Sequence, residues 1–574
     1  MIPSGEDDES TPLTAHETED GVSPTIYGLS ASKSEELCKR AGELAGLVSD
    51  DTLVGGKTFT ELSLYEKKSV LINRELDLMG MGRYQWCIFF LCGFGYFLDL
   101  CWAQAFGLVA SAIQQEMGIT DARISDLSAS FNSGLMIGAF TWGMLVDILG
   151  RRWCFNLTCA ISTVFGFLFS APSSYGAICF LAAMIGLGVG GNVPIDATIT
   201  LEFLPTKNRY LLAALSTFQP IGVVVSSLIS LALIPRYSCD PKLLSCKISE
   251  APCCSRADNM GWRYTMLLLG FFTLAIFIAR FVIFKFRESP KFLLVQGHDA
   301  HALDVLHSIA SFNGMAEPGL NMDDFQALDF VYGQTSRNKE PAYGLRAGNK
   351  QLGTKELAEK VAVGGVKRVF GHLKGLFGQR IYVWLFIAMA VAYMSLFWAF
   401  SIAGYFLPLI LRAKGVDTGA SITQTYTAYV WIYLPSVSAT IAASYLMEVP
   451  RVGRKWGMVV SAGLMGIALA LYQLVNSRSA SIGFNAMEYW FQSLYAALLY
   501  AYTPEAFPAQ FRGSTSGMLS TLGRIASVLA PVAARNVYHG SSSPGVLWLS
   551  AGGAWVSMLA IACLPYDTTG KQAF

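Results

Sequence analysis

The feature that most constrains this chain is a pair of polar motifs that each occur twice, at one common spacing, in an otherwise apolar sequence. Gly150-Arg151-Arg152-Trp153 returns as Gly453-Arg454-Lys455-Trp456 after 303 residues (150 to 453). At the same offset, Glu202, Pro205 and Arg209 return as Glu505, Pro508 and Arg512. Two unrelated motifs rarely share one offset by chance, so the sequence indicates a tandem duplication whose halves run in the same direction.

The composition places the duplicated unit in a membrane. Of the 574 residues, 53% are hydrophobic and only 14% are charged, whereas soluble proteins carry about a quarter charged residues. The net charge is +1, and no basic stretch is interleaved with aromatic residues, so no nucleic-acid partner is expected.

Twelve apolar stretches are long enough to cross a bilayer, which takes about 20 residues each. They predict an all-α membrane protein with twelve transmembrane helices in two six-helix pseudo-repeats. The predicted spans cover roughly 85–113, 127–149, 153–172, 176–203, 209–234 and 262–286 in the first half, and 380–411, 421–447, 456–476, 481–503, 512–536 and 545–565 in the second.

The hydrophilic stretches complete a division into five regions. We expect an amino-terminal tail at 1–83, helix bundles at 84–286 and 380–565, a central loop at 287–379 and a tail at 566–574. Residues 1 to about 58 are acidic and rich in Ser, Thr and Gly, which predicts disorder. Residues 60–77 have the pattern of a short amphipathic helix lying against the membrane or the inner face of the protein.

The distribution of Lys and Arg between the connections predicts the orientation in the membrane. The connections that hold Arg151, Arg209, Arg454 and Arg512 are expected on the cytoplasmic side, together with the central loop and both termini. The 235–261 connection then faces the exterior or a lumen.

That connection contains four cysteines on a side where disulfides persist. Adjacent Cys253 and Cys254 are expected to pair with Cys239 and Cys246 rather than with each other, and sequence leaves the connectivity open. A metal site is the less favoured interpretation because no histidine lies nearby, and neither a metal nor a cofactor is expected.

Several motifs resemble one family of membrane transporters. Gly143-x3-Asp147-x2-Gly150-Arg151-Arg152 resembles the signature between helices two and three of the major facilitator superfamily. The run at 287–293 (RESPKFL) resembles the sugar-porter-related signature after helix six, and 565–570 is a weakened form of the terminal motif of that group. The runs at 82–86, 202–205 and 502–505 look most like its synaptic-vesicle-transporter-like branch, and 93–99 is similar to fungal members.

The resemblance implies a major facilitator fold that works by alternating access, with the matched motifs forming a gate. The gating residues expected from the motif positions are Gly143, Asp147, Gly150, Arg151, Arg152, Glu202, Arg209, Arg454, Glu505 and Arg512. We predict that Glu202 pairs with Arg209 and that Glu505 pairs with Arg512, in ion pairs that break as the halves rock. Pro450 stands where Asp147 stands in the first half, and only the nearby Glu448 offers a carboxylate for a weaker second gate.

Five charged residues lie away from the ends of the predicted spans: Asp99, Asp196, Arg280, Glu488 and Arg524. Because a charge inside the bilayer costs a few kcal/mol, each is a candidate for function. Asp99 is the favoured proton acceptor, and its alternative role is a structural ion pair. Arg524 is expected to hold a carboxylate in bidentate fashion, or else to pair with Asp99 or Glu488.

Three further interpretations concern the remaining candidates. Glu488 and Gln492, among aromatic residues, suit a small polar or aromatic ligand. Asp196 follows the helix-weakening run at 190–194, which either aims backbone groups at a ligand or marks a packing kink. Arg280 is expected to extend its guanidinium towards the membrane surface.

The favoured hypothesis is a secondary transporter that couples protons to the movement of a small organic solute, in particular an organic anion or an aromatic acid. Efflux of a secondary metabolite is an alternative. A sugar is disfavoured because 390–408 lacks the glutamine-rich stretch of sugar porters, and a non-transporting nutrient receptor is the weakest interpretation. No nucleotide loop or nucleophile constellation suggests an enzyme. We expect a monomer in contact with lipid in the plasma membrane, with the vacuolar membrane as an alternative.

Overall fold

The computed structural model describes residues 31–47, 59–240, 243–248, 252–284, 286–337, 376–413, 421–449, 452–537 and 544–565. Within these ranges the protein is helical, and its β-structure is limited to an isolated bridge between Ser245 and Cys254. Nine helical stretches of the described chain are long and apolar enough to cross a membrane. The other three predicted spans are also helical, so all twelve predicted spans correspond to helices.

The first half contains six predicted spans built from eight helices. They are α3 (Arg83–Met117), α4 (Asp121–Leu149), α5 (Arg151–Leu168), α6 (Tyr175–Val189), α7 (Asn192–Phe203), α8 (Leu211–Leu215), α9 (Phe218–Tyr237) and α10 (Gly261–Ile278), which continues into a π-helical turn at Ala279–Ile283. The break between α6 and α7 falls in the run that was predicted to weaken the helix. A Cβ on Gly190 would meet the Leu135 carbonyl at 2.4 Å, so this glycine lets the chain pack closely on α4.

The second half repeats the pattern with seven helices. They are α14 (Arg380–Ala413), α15 (Ile422–Tyr433), α16 (Ser436–Leu446), α17 (Gly453–Leu471), α18 (Arg478–Ala506), α19 (Arg512–Arg535) and α20 (Pro544–Ala562). Together α15 and α16 form one predicted span, interrupted beside Pro435, which lacks the N–H that a continuous helix would use.

A layer of shorter helices covers the end of the bundle that carries the repeated motifs, which we call the motif end. It consists of α1 (Ala31–Gly46), α2 (Leu64–Met79), α11 (Pro290–Val295), α12 (Asp299–Asn313) and α13 (Met322–Arg337). The expected amphipathic helix is α2, and a capping box between Ser63 and Glu66 starts it. It packs on the layer through Lys68, which lies 2.5 Å from Asp299 and 2.7 Å from Asp329.

One expectation about these polar regions is wrong. Part of the stretch predicted to be disordered forms α1, which packs on α13 with Leu44 buried and with Arg40 2.6 Å from Asp324. The central loop between the two bundles begins with three helices, α11 to α13. The acidic, polar composition obscured both features, because these helices are stabilised by ion pairs and by packing on each other rather than by long apolar faces. Residues 1–30, 48–58 and 338–375 lie outside the described residues.

The opposite end, which we call the disulfide end, carries the cysteine connection. Cys239 pairs with Cys254 and Cys246 pairs with Cys253, so the two adjacent cysteines bond to the two distant ones as expected. The connection sits on the end of α3, where the Ser245 hydroxyl donates to the Glu116 carbonyl at 2.7 Å.

Candidate functional site

The repeated motifs meet at the motif end as two matching ion pairs. Arg151 donates to both carboxylate oxygens of Glu202, at 3.1 and 2.9 Å. Its counterpart Arg454 donates to Glu505 at 2.9 Å. All four side chains are buried. The duplication seen in the sequence is therefore also a duplication of contacts. In each half, the arginine of the first motif pairs with the glutamate of the second.

Two sets of hydrogen bonds join the halves at this end. The Asp147 carboxylate accepts from the backbone N–H and the hydroxyl of Ser514, at 2.7 and 2.8 Å. Because Ser514 lies in the first turn of α19, Asp147 also places its negative charge at the positive end of that helix. Arg151 reaches across as well, donating to the Ala509 carbonyl at 3.1 Å. These bonds must break before the halves can separate at the motif end.

Gly143 lies at a close contact between α4 and α19. A Cβ on Gly143 would lie 2.6 Å from the Gly517 Cα and 2.9 Å from the Gly513 carbonyl oxygen. Both neighbours are backbone atoms, so no side-chain rotation can make room. The motif glycine thus allows direct backbone contact between the two halves.

The predicted partner of Glu202 is wrong. Its carboxylate contacts Arg151 and lies 3.6 Å from the guanidinium of Arg512, rather than pairing with Arg209. Both carboxylate oxygens are occupied by these two arginines, so the ion pair links the halves instead of stabilising one of them. Arg209 lies within electrostatic reach of Glu505, and burial lowers the pKa of the Arg209 guanidinium to about 10.

The remaining gating candidates have smaller roles. Gly150 has φ +104°, and a Cβ there would meet the Glu288 carboxylate at 2.5 Å. That carboxylate accepts the backbone N–H groups of Arg151 and Arg152 at 2.8 and 3.2 Å, while the Arg152 side chain is exposed. Glu448 is also exposed and forms no ion pair with the residues that the structure describes.

Asp99 and Arg524 meet midway along helices α3 and α19. The Arg524 Nη2 lies 3.4 Å from the Asp99 Oδ1, and Gln219 donates to the other carboxylate oxygen at 3.3 Å. All three side chains are at least nine-tenths buried. Asp99 and Gln219 belong to the first half and Arg524 to the second, so this pair links the halves midway between the two ends.

Aromatic rings surround this pair. The Arg524 guanidinium lies 4.8 Å from the centre of the Phe397 ring. The Tyr500 ring lies 5.9 Å from Tyr393 and 6.5 Å from Tyr96, which contributes from the first half. Because apolar ring faces exclude water, they strengthen the electrostatic interactions of the ion pair.

Asp196 and Arg280 form a separate pair inside the first half. Their charged atoms lie 2.9 Å apart, and both side chains are fully buried. The guanidinium also donates to the Leu91 and Phe155 carbonyls at 2.8 and 3.3 Å. Arg280 therefore does not extend to the membrane surface as predicted, because these buried acceptors hold it in place. These contacts favour the packing kink over a ligand site at Asp196, since the Arg280 guanidinium that pairs with Asp196 already donates to carbonyl oxygens of the protein.

Glu488 and Gln492 lie one turn apart on α18. Each has a side-chain oxygen, Oε1, that is buried and has no hydrogen-bond partner among the described residues. Arg524 pairs with Asp99 and not with Glu488. Tyr489 lies within electrostatic reach of both Glu488 and Asp99, so the two carboxylates face one region of the protein.

Tyr65 and Lys291 approach the gate from the layer of short helices, and no sequence pattern marked them as gate residues. Tyr65 of α2 lies within electrostatic reach of Glu202 and Arg512. Burial, reinforced by Arg512 and Arg209, lowers the pKa of Lys291 well below 10.5. Lys291 belongs to the 287–293 motif, which was noted only for its resemblance. The amphipathic pattern around Tyr65 carried no signal that its hydroxyl faces charged residues.

Comparison with known proteins decides the family. The profile of the Major Facilitator Superfamily matches residues 86–447 and 389–573. The chain belongs to the major facilitator superfamily. It is therefore a multi-pass membrane transporter of a small-molecule substrate, and its relatives and fold are those of transporters rather than enzymes.

Individual relatives indicate the branch of the superfamily to which the chain belongs. An uncharacterized MFS-type transporter of Schizosaccharomyces pombe is 32% identical over 534 residues, covering 92% of each chain. The MFS siderochrome iron transporter 1 of Ceriporiopsis subvermispora is 32% identical over 511 residues, covering 89% of this chain and 92% of its own. Human synaptic vesicle glycoprotein 2A is 25% identical over 348 residues, covering 60% and 44%. These fungal and synaptic-vesicle relatives confirm the predicted branch.

A solved structure supports the fold. The proton:xylose symporter XylE in complex with 6-bromo-6-deoxy-D-glucose superposes with a TM-score of 0.62 at 14% identity, covering 85% of this chain and 97% of its own. At this identity the likeness concerns the fold alone, and it confirms the predicted architecture.

Proposed function

We propose that this transporter couples the movement of protons to that of a small organic anion, with Asp99 as the proton acceptor and Arg524 as the anion clamp. The observation that carries the proposal is the buried ion pair between these two side chains, 3.4 Å apart and contributed by opposite halves. A guanidinium can bind a carboxylate through two parallel hydrogen bonds, which favours a carboxylate solute.

The coupling follows from charge balance. When Asp99 takes up a proton, Arg524 loses its counter-ion and becomes available to a solute carboxylate. Leaving a buried charge unpaired costs about 3–5 kcal/mol, so the protonated site without a bound anion is disfavoured by roughly 150- to 5,000-fold. Proton and anion therefore bind together, and the solute replaces Asp99 as the partner of the arginine.

Movement of the two halves supplies the remaining step. The contacts of Asp147 and Arg151 to the second half close the motif end, and the Asp99–Arg524 pair spans the same interface at mid-depth. When Arg524 exchanges Asp99 for the solute, the ion pair between the two halves is lost at the interface along which they move. This links occupancy of the site to opening of the gate.

The test is uptake into proteoliposomes with an imposed, inside-alkaline pH gradient, screened over organic acids, sugars, amines and aromatic metabolites. We expect gradient-driven uptake of organic acids. Arg524→Lys keeps the charge but not the planar fork, and it should lower uptake at least tenfold. Arg263→Lys is the control, because Arg263 is also a buried arginine paired with a carboxylate but lies at the disulfide end, where it donates two hydrogen bonds to Glu116. Uptake of sugars without organic acids, or full activity of Arg524→Lys, would overturn the proposal.

The proposal includes an orientation, with the motif end in the cytoplasm and the protein in the plasma membrane. The arginines of the motif end and the two disulfides of the opposite connection support it. Protease protection of a tag inserted after Leu244, whose side chain is 60% exposed, tests the orientation in intact cells. Cleavage of the tag only after permeabilisation, or labelling of the vacuolar rather than the plasma membrane, would contradict it.

A further inference from the structure

Glu488 is an exception among the buried carboxylates of the membrane helices. Five others in the described helices each face an arginine: Asp99 with Arg524, Glu116 with Arg263, Asp196 with Arg280, Glu202 with Arg151, and Glu505 with Arg454. Glu488 is 4% exposed and forms neither an ion pair nor a hydrogen bond with any described residue. A charged carboxylate without a partner is costly to bury, so Glu488 is available to a bound cation that the described residues do not replace.

The surroundings of Glu488 define the chemistry of that partner. One turn along α18, the Gln492 side chain presents a second buried oxygen without a partner. The Tyr433 and Tyr489 rings, 4.6 Å apart, both lie within electrostatic reach of the carboxylate. Oxygen acceptors combined with aromatic ring faces bind an ammonium group, because the oxygens accept hydrogen bonds from its N–H groups and the ring faces attract its positive charge.

This position is continuous with the Asp99–Arg524 site. The Phe400 ring lies 6.2 Å from Tyr489, and Phe397, one turn earlier on α14, packs on the Arg524 guanidinium. Aromatic rings thus connect a positive pole at Arg524 with a negative pole at Glu488. A solute with an apolar or aromatic body and a charge at each end fits this order of groups.

We propose that Glu488, with Gln492, Tyr433 and Tyr489, binds the protonated amine of a solute whose carboxylate binds Arg524. The substrate class is then an amino carboxylate rather than a simple organic acid. The carboxylate half of this inference rests on the proposed function, whereas the amine half stands on the geometry around Glu488.

The experiment compares matched solutes on purified protein. The probes are a set of aromatic and aliphatic amino acids, L-phenylalanine among them, each with its desamino acid and its decarboxylated amine, such as 3-phenylpropanoate and 2-phenylethylamine. Gradient-driven uptake and ligand-induced thermal stabilisation are both recorded. We expect at least one amino carboxylate to accumulate tenfold or more above both of its analogues.

Glu488→Gln keeps the shape of the side chain and removes its charge. It should lower uptake of the amino carboxylate at least tenfold and leave the weak uptake of the desamino acid unchanged. The control is Glu317→Gln, whose side chain is exposed and forms no ion pair with the described residues. A desamino acid that accumulates as well as its amino acid, or a Glu488→Gln variant that affects both alike, would overturn the inference.

Failure of the proposed function has a different signature. If amines without a carboxylate stabilise the protein, and Glu488→Gln abolishes that effect, the amine site stands and the anion clamp fails. If desamino acids accumulate with the pH gradient while no solute responds to Glu488→Gln, the anion clamp stands and the amine site fails. If no probe is bound or transported, both fail.

Discussion

Replacing Gly143 by alanine should hold the motif end open. The added Cβ would lie 2.6 Å from the Gly517 Cα and 2.9 Å from the Gly513 carbonyl oxygen, so α4 and α19 must move apart for closure. The same methyl group causes no strain once the halves have separated. The substitution therefore acts on one state of the transport cycle rather than on folding of each half.

The magnitude follows from the geometry. Forcing an additional methyl group into a packed interface costs about 1–3 kcal/mol, which shifts the ratio of closed to open states by roughly 5- to 150-fold. Transport should slow by a factor in the same range, because every cycle requires closure of this end. The matched control is Gly552→Ala on α20, where a Cβ would meet nothing within 4 Å.

Distance measurements between spin labels report the state directly. Trp153 and Trp456 occupy equivalent positions of the two repeats at the motif end and are 64% and 51% exposed. Labels on encoded keto-amino acids at these sites avoid the native cysteines. We expect Gly143→Ala to shift the distribution to longer distances and Gly552→Ala to leave it unchanged. A wild-type distribution and wild-type transport in folded Gly143→Ala protein would refute the reasoning.

Two further predictions concern the gate and its surroundings. Glu202→Gln leaves the buried Arg151 and Arg512 without their shared carboxylate and should lower the free energy of unfolding by about 3–5 kcal/mol. The control Glu448→Gln, at an exposed side chain, should change it by less than about 0.5 kcal/mol. Denaturant unfolding in detergent measures both variants, and equal stabilities would contradict the assigned pairing. Burial lowers the pKa of Lys291 well below its unfolded value of 10.5. The unfolded state therefore binds more protons than the folded state between the folded and the unfolded pKa, so stability should rise with pH through this range and level off above about 10.5. Lys291→Met should flatten this part of the stability profile, and an unchanged slope would show that Lys291 is not the group responsible.

The sequence predicts the fold well because its signals are strong and local. A bilayer demands long apolar helices, and the repeated motifs identify two equivalent halves even at positions such as Arg454 and Glu505, whose contacts match those of Arg151 and Glu202. Apart from α2, the layer at the motif end escaped prediction. Its helix α1 is short and polar, and the docking of α1 depends on α13, almost 300 residues away (Arg40 to Asp324).

The candidate site was only partly predictable. Asp99, Glu488 and Arg524 are conspicuous because charged residues are rare in membrane helices. The sequence left open whether Arg524 pairs with Asp99 or with Glu488, since that choice depends on how the halves are rotated against each other. Gln219 illustrates the limit, because nothing in its span marks it as the residue that donates to Asp99. Sequence equally gave no reason to prefer Arg512 over Arg209 as the partner of Glu202.

The most direct test of proton coupling through Asp99 compares two modes of transport in Asp99→Asn. With the solute identified by the uptake screen, proteoliposomes measure exchange of labelled for unlabelled solute without a gradient, and accumulation driven by an inside-alkaline pH gradient. Asparagine cannot take up the proton but leaves Arg524 free for the anion, so exchange should persist while accumulation is lost. Accumulation by Asp99→Asn at the wild-type level would contradict the mechanism and make the Asp99–Arg524 pair a structural link between the halves.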